Sequence, residues 1–500
     1  MGILTEPSTV ALLSIVAVTL LLLLRTSRKF YQHERQLGCG EVTSEDVSWI
    51  DFLGITKLVE FARHFQHKTA LEYTDQLFTR YGSTYMSKIL GYRIHFTCDP
   101  KNIKHILSTG FADYDSSKLR GPLFNPITPH GIFTVDGPDW RAMRDQLRTQ
   151  LSNNRGICDF AMFERQFQIL LQHVPSNGQK FDIQASFISL AIDIQSEFAL
   201  GDSISNLHPS PAPAKKHFAE DLHVIKETIV RDGFRGPLRH LSSKLEFRQS
   251  CVRARRFVMG YAEREMAKHS AVKMQTSDQG YYFMRGLCDR GADAAQLANQ
   301  TLSILLANDS IATTLSGIFF LLSQHKWVVS RLRQSILDEI GSDLPTYDQL
   351  TKLVYLRYVI QESMRLFPAA PLNARTANKH TVLPFGGGPD GKQPILIRQG
   401  DVLVFSSWSS HRSEENFGAK PEEFRPERWE KLKGDVPGFI PFNKGPRICP
   451  GQNYAMVVVS YIVARLMQTF STVTDYNPGP WVERISMTLE NDNGVLVGLS

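Results

Sequence analysis

The pattern of apolar and polar positions divides the chain into a short uncharged head and a long amphipathic body. Residues 7–24 carry no charge, and 10–24 are almost wholly apolar and end in five leucines. Eighteen such residues just span a bilayer as a helix. Arg25, Arg28 and Lys29 follow, against a lone Glu6 on the other side, so the positive-inside rule puts the C-terminal bulk in the cytosol and the N-terminus in the lumen. A secretory signal is the rival reading. It would need a basic residue before the apolar run and a small-x-small site after it, and the sequence has neither.

Beyond the head the period changes. Residues 44–81 mix apolar positions at helical spacing with charges, and 85–97 read as a strand pair turned at Gly91-Tyr92. Gly137-Pro138 opens a helix, with Pro at its first position and Asp139 in its first turn. Helices are also predicted over 182–200, 216–230, 244–273, 293–324, 344–367 and 454–470. The one beginning after Pro345 carries a capping box at Thr346 and Gln349. Strands are predicted over 394–398 and 402–406. Gly386-Gly-Gly-Pro-Asp-Gly391 spells a dinucleotide-binding spacing, but Pro389 and a strand follow it instead of a helix, so it reads as a turn. With no repeat and no long linker, these elements imply one mainly α domain with small β-sheets over 31–500, behind an N-terminal anchor and basic flank over 1–30.

Composition narrows the class. A net charge of +6 with 21% charged residues, spread along the chain, is too mild for a nucleic-acid partner. The six cysteines, at 39, 98, 158, 251, 288 and 449, lack metal-site spacing and suggest no disulfide framework; a reducing compartment follows.

Candidate chemistry concentrates at residues 442–451. Phe442 can shield a sulfur from water, and Gly445 permits positive φ. Arg447 is a cation, and Gly451 has no Cβ to block a planar ligand. Cys449 lies just before a predicted helix N-terminus, a setting that favours a thiolate over an inert buried thiol.

The spacing Phe-x-x-Gly-x-Arg-x-Cys-x-Gly, complete at Phe442, Gly445, Arg447, Cys449 and Gly451, resembles the haem-binding loop of the cytochrome P-450 family. The resemblance implies the P-450 fold and Cys449 as the metal ligand of haem b, whose thiolate pushes electron density toward oxygen. It implies that Trp140 and Arg144, four apart on one helix face, and Arg375 hold the haem propionates. Glu362 and Arg365, three apart, would join Arg428 of Phe424-Arg-Pro-Glu-Arg-Trp429 in a buried triad that fixes the cysteine loop. At 306–314, Asp309 matches the family's acid on the oxygen-binding helix. Ser310 stands where threonine is usual, Ala307 replaces glycine, and Ile311 replaces the second alcohol. Asp309 beside Ser310 could relay protons, with Thr313 and Thr314 able to substitute; the alternative is hydroxyls bonded back to helix carbonyls.

Gln36-Leu-Gly-Cys39 and the wording of 381–391 and 424–429 resemble the fungal branch that hydroxylates n-alkanes and fatty acids. The implied protein is a single-pass endoplasmic-reticulum monooxygenase with a cytosolic catalytic domain. It would act on a hydrophobic small molecule with electrons from NADPH through a separate reductase, docked on Lys444, Arg447 and Arg141. The altered oxygen-helix pattern, Lys444 and Pro450 within the loop, and the lack of a proline-rich hinge mark a divergent member, so an intermediate of fungal secondary metabolism is an equal substrate candidate. A haem-thiolate isomerase or dehydratase, and a non-catalytic haem or lipid binder, are the alternatives.

Overall fold

Side-chain caps fix the starts of several helices. The computed structural model describes residues 36–45, 51, 53–151, 156–272, 282–432 and 434–500. The expected membrane anchor lies outside these residues. The longer helices are α1 (Ile55–Gln66), α2 (Ala70–Tyr81), α3 (Ser117–Phe124), α4 (Gly137–Leu151), α5 (Phe160–Leu171), α6 (Ile183–Leu200), α7 (Pro213–Arg235), α8 (Leu245–Val272), α9 (Ala294–Leu305), α10 (Asp309–Gln324), α11 (Lys326–Ile340), α12 (Val354–Leu366) and α13 (Gln452–Thr469). Asp182 caps α6 by accepting the Gln184 N–H at 3.0 Å. Asp293 and Gln296 form a reciprocal capping box on α9, and Thr346 and Gln349 form the expected one on the short helix Tyr347–Lys352.

The helix expected over 293–324 is broken in the middle. Residues 306–308 form a turn between α9 and α10, and there Ala307 is exposed although its neighbours Leu306 and Asn308 are buried. The stretch Ala294–Gln324 is long and apolar enough to cross a membrane, yet 83% of its apolar window is buried in protein, so it is the core helix. It packs between α6, α12 and α13.

The strands are β1 (Thr84–Ile89), β2 (Tyr92–Thr97), β3 (Tyr114–Asp115), β4 (Phe181–Asp182), β5 (Leu372–Ala377), β6 (Thr381–Gly387), β7 (Gln393–Ile397), β8 (Val402–Ser406), β9 (Val473–Asp475), β10 (Glu483–Ile485), β11 (Leu489–Asn491) and β12 (Leu496–Leu499). The main sheet runs β1-β2-β8-β5-β3, with only β2 and β8 parallel. The β1–β2 turn falls one residue earlier than expected, at Leu90 and Gly91, both with positive φ, as a tight hairpin requires. The glycine-rich segment 386–391 joins β6 to β7 as a hairpin, in line with its reading as a turn.

The expected triad is formed and buried. Arg365 donates to Glu362 through Nε and Nη2, both at 2.9 Å, and Arg428 Nε reaches Glu362 Oε1 at 3.3 Å. Trp429 Nε1 adds a donor at 2.9 Å. Arg365 Nη1 also binds the carbonyls of His411 and Pro421, at 3.0 and 2.6 Å. His411 carries this order to the cysteine loop: its Nε2 accepts the Ile440 N–H at 2.9 Å, two residues before Phe442. Burial, with Arg365 and Arg412 adding, pushes the His411 imidazole down to about 3, so it stays neutral and keeps that acceptor.

Candidate active site

The cysteine loop is built by its own backbone. A turn of 3₁₀ helix, Gly445–Arg447, leads to Cys449, whose N–H donates to the Phe442 carbonyl at 2.9 Å. Gly451 then caps α13. Cys449 keeps some accessible surface although it lies deep in the protein. Burial pushes its thiol up, opposed by the Gly451 N–H and the Arg144 guanidinium. A metal cation bound at the sulfur would favour the thiolate in the same sense as these two groups.

Near this loop the positive charge is under-compensated. Arg375, on β5, is 2% exposed. Burial holds its guanidinium well below the usual arginine range, with Arg120 and Arg447 adding to the effect. Its Nη1 donates to the Ala374 carbonyl at 2.8 Å and to Asn373 Oδ1 at 3.2 Å. Arg120, on α3, shares that Asn373 oxygen at 2.6 Å. Arg447 bonds Asp136 and lies over the Trp140 ring, 4.3 Å from its centroid; burial brings it down to about 10 against the pull of Asp136. Of these three arginines only Arg447 has a carboxylate in direct contact among the described residues, that of Asp136; Asp136 acts on Arg120 and Arg375, and Asp115 on Arg447, at longer range. Trp140 is buried on α4. Its indole N–H and the Arg144 guanidinium have no hydrogen-bond partner among the described residues.

These features fit a planar, anionic, metal-bearing cofactor. Excess buried cations call for carboxylates, and forked guanidiniums suit them. Gly451 has φ −92°, which any residue adopts, and a Cβ placed on it meets nothing within 4 Å. Neither its backbone nor packing among the described residues demands a glycine, so the space is left for something else. No group of three or more His, Cys, Asp or Glu among the described residues could hold a bare metal ion. A metal held by Cys449 must bring its other ligands with it, as a haem does.

The helix-break residues are arranged less simply than expected. Ser310 Oγ donates back to the Ala307 carbonyl at 3.1 Å, and Thr314 Oγ1 to the Ser310 carbonyl at 2.9 Å. Thr313 Oγ1 pairs with Thr488 Oγ1 at 2.8 Å. Asp309 is ion-paired with Lys226 of α7 at 2.7 Å. The expected docking cations also change. Arg447 points inward and Lys444 is paired with Asp435 at 2.6 Å, whereas Arg141 remains exposed.

Sequence reasoning missed Arg120, Asp136 and Lys226. Arg120 sits on a helix with Pro122 inside it, and no local spacing ties it to Arg375; only β5 crossing beside α3 brings them together.

The fold and these groups define a class: a helical oxidoreductase built around one cysteine and a ring of arginines. Comparison with known proteins gives the family. The family model described as Cytochrome P450 matches residues 52–492. Similar proteins include Cytochrome P450 monooxygenase FPY7 of Fusarium mangiferae, 32% identical over 486 residues, covering 95% of this chain and 91% of that one. Cytochrome P450 52A13 of Debaryomyces hansenii is 31% identical over 474 residues, with 91% and 90% covered. Cytochrome P450 52A3-A of Candida maltosa is 31% identical over 503 residues, with 96% and 95% covered. The chain belongs to the cytochrome P450 family and is a monooxygenase with fungal and yeast relatives.

Proposed function

We propose that this protein is a membrane-tethered haem-thiolate monooxygenase that hydroxylates a hydrophobic small molecule, using dioxygen and electrons passed from NADPH by a separate reductase. Cys449 is the metal ligand. Arg375, Arg447, Arg144 and Trp140, with Arg120 beside them, hold the propionates; Phe442 and Gly445 shape the loop, and Gly451 leaves room for the ring. The observation that carries this reading is the deep-lying Cys449 beside a cluster of buried arginines of which, among the described residues, only Arg447 has a carboxylate in direct contact. When bound, haem supplies activation of dioxygen for insertion into a C–H bond.

The protein's own groups supply the rest. The triad and His411 keep the loop rigid, and Arg144 with the Gly451 N–H stabilises negative charge on the sulfur. Asp309 and Ser310, at the helix break, serve proton supply. Partly buried Phe133, Leu372 and Met487 pack on the core and support an apolar substrate, either fatty-acid- or alkane-like or a fungal secondary-metabolite intermediate.

An exposed apolar surface supports attachment to the endoplasmic-reticulum membrane, with the catalytic domain on the cytosolic side. Val59 on α1 is 51% exposed; Leu241, ending the 3₁₀ turn Gly236–Leu241, is 84% exposed, and Leu245 is 66%. Phe65 of α1 meets Phe234 of α7 at 4.1 Å between centroids, which places these patches side by side. Such a patch marks a membrane or partner contact.

The test is expression of the full chain with a fungal NADPH reductase, offered fatty acids, alkanes and biosynthetic intermediates under isotopically labelled dioxygen. The expected product carries one labelled oxygen and requires NADPH. Product formed without NADPH or dioxygen would contradict the reading and favour an isomerase or dehydratase.

A further inference from the structure

Five charged side chains meet where α7, α10 and the β10–β11 hairpin converge. Lys226 of α7 donates to Asn308 Oδ1 at 2.6 Å and to Asp309 Oδ1 at 2.7 Å. On the hairpin, Arg484 and Glu490 stand opposite each other across the two strands. Arg484 reaches Glu227 of α7 at 3.2 Å and Glu490 at 3.9 Å. Ser486 Oγ donates to Glu490 Oε1 at 2.5 Å. The Thr488–Thr313 bond pins the hairpin to α10. The cluster runs from solvent inward. Glu227 and Arg484 side chains are 48% and 41% exposed, whereas those of Glu490 and Asp309 are 16% and 15%.

The two inner carboxyls have different surroundings. Asp309 is in direct contact with a cation, whereas the cation facing Glu490 is more distant and shared with Glu227. Burial pushes the Glu490 carboxyl up; Ser486 and Arg484 oppose this, and the nearby charges of Asp309 and Glu227 add to it. Two carboxyls whose environments differ in this way suit a proton hand-over. Asp309 borders the break at residues 306–308, where the core helix opens.

We propose that Glu490 is a proton-handling residue of this monooxygenase, taking protons from the solvent edge at Arg484 and Glu227 and passing them to Asp309. The proposal rests on the monooxygenase reading. Monooxygenation consumes two electrons, one dioxygen and two protons, and releases one water with the product. Glu490 gains a proton from water and gives it to Asp309, so it returns unchanged and undergoes no redox step. It acts through Asp309 and does not touch the reacting atoms.

The experiment uses the full chain in membranes with an NADPH reductase and no organic substrate. Hydrogen peroxide formed per NADPH consumed is measured across the whole pH range in which the protein stays folded, because burial moves the Glu490 titration upward. In the wild type the peroxide share should rise with pH as Glu490 loses its proton. In Glu490→Gln it should be several-fold higher at the acid end and flat with pH. Thermal unfolding provides a second readout. A carboxyl with a raised folded value contributes stability that is present below the ordinary value and lost as pH rises through the folded one. The wild type should therefore lose stability with rising pH more steeply than Glu490→Gln. Should Gln prevent haem loading, Glu490→Asp should shift the peroxide profile in the same direction. An unaltered peroxide share and pH profile, with parallel unfolding curves, would overturn the proposal. Because no substrate is added, that result would leave the substrate reading standing; a wild type that consumed no NADPH would overturn both.

Discussion

Glu362→Ala should cost about 3–5 kcal/mol of stability and leave the chain with little or no bound haem. Glu362 and Arg365 are both fully buried, and Arg428 is 4% exposed. Removing the carboxylate strands two guanidiniums in the interior, where an unpaired charge is heavily penalised. It also removes the acceptor for the Trp429 indole and for the Arg425 N–H at 3.1 Å. The damage reaches the active site through His411, because Arg365 binds the His411 carbonyl and His411 in turn holds the Ile440 N–H. Urea unfolding followed by circular dichroism, together with the haem-to-protein ratio, checks both parts. A variant with wild-type haem content would show that the triad does not position the loop.

Gly445→Ala should have the next largest effect. Gly445 has φ +66°, and a Cβ there would overlap the carbonyl of Leu107 in the single π-turn His105–Thr109. The backbone strain alone costs about 1–3 kcal/mol. The overlap is with backbone and not with a flexible side chain, so the loop must move, and Cys449 moves with it. Expressed protein should show a lower unfolding midpoint and much reduced haem retention on dilution. Gly451→Ala is the instructive partner: its Cβ meets open space, so the polypeptide should fold normally while haem uptake falls. Equal haem binding by both variants and the wild type would mean that neither glycine serves the cofactor.

Much of this was legible because it is local. The cysteine loop and the Glu362–Arg365 pair are spacings along the chain, and the capping box at Thr346 spans three residues. What was hidden depends on distant segments crossing. The break at 306–308 replaces an expected continuous helix although its sequence is uniformly compatible with one; Lys226 grips Asn308 and Asp309 from 82 and 83 positions away. Arg447 looked like a surface cation beside Lys444 until Asp136, 311 residues earlier, turned it inward. The Glu490–Arg484 pairing depends on strand register, which the chain's apolar pattern does not encode at such a short hairpin.

The most direct measurement is the absorption spectrum of the reduced, carbon-monoxide-bound full chain, comparing wild type with Cys449→Ala. Wild type should show the red-shifted band of a thiolate-ligated haem, and the variant should lose it even where some haem remains held by the arginines. Persistence of that band without the Cys449 sulfur would contradict the account at its centre.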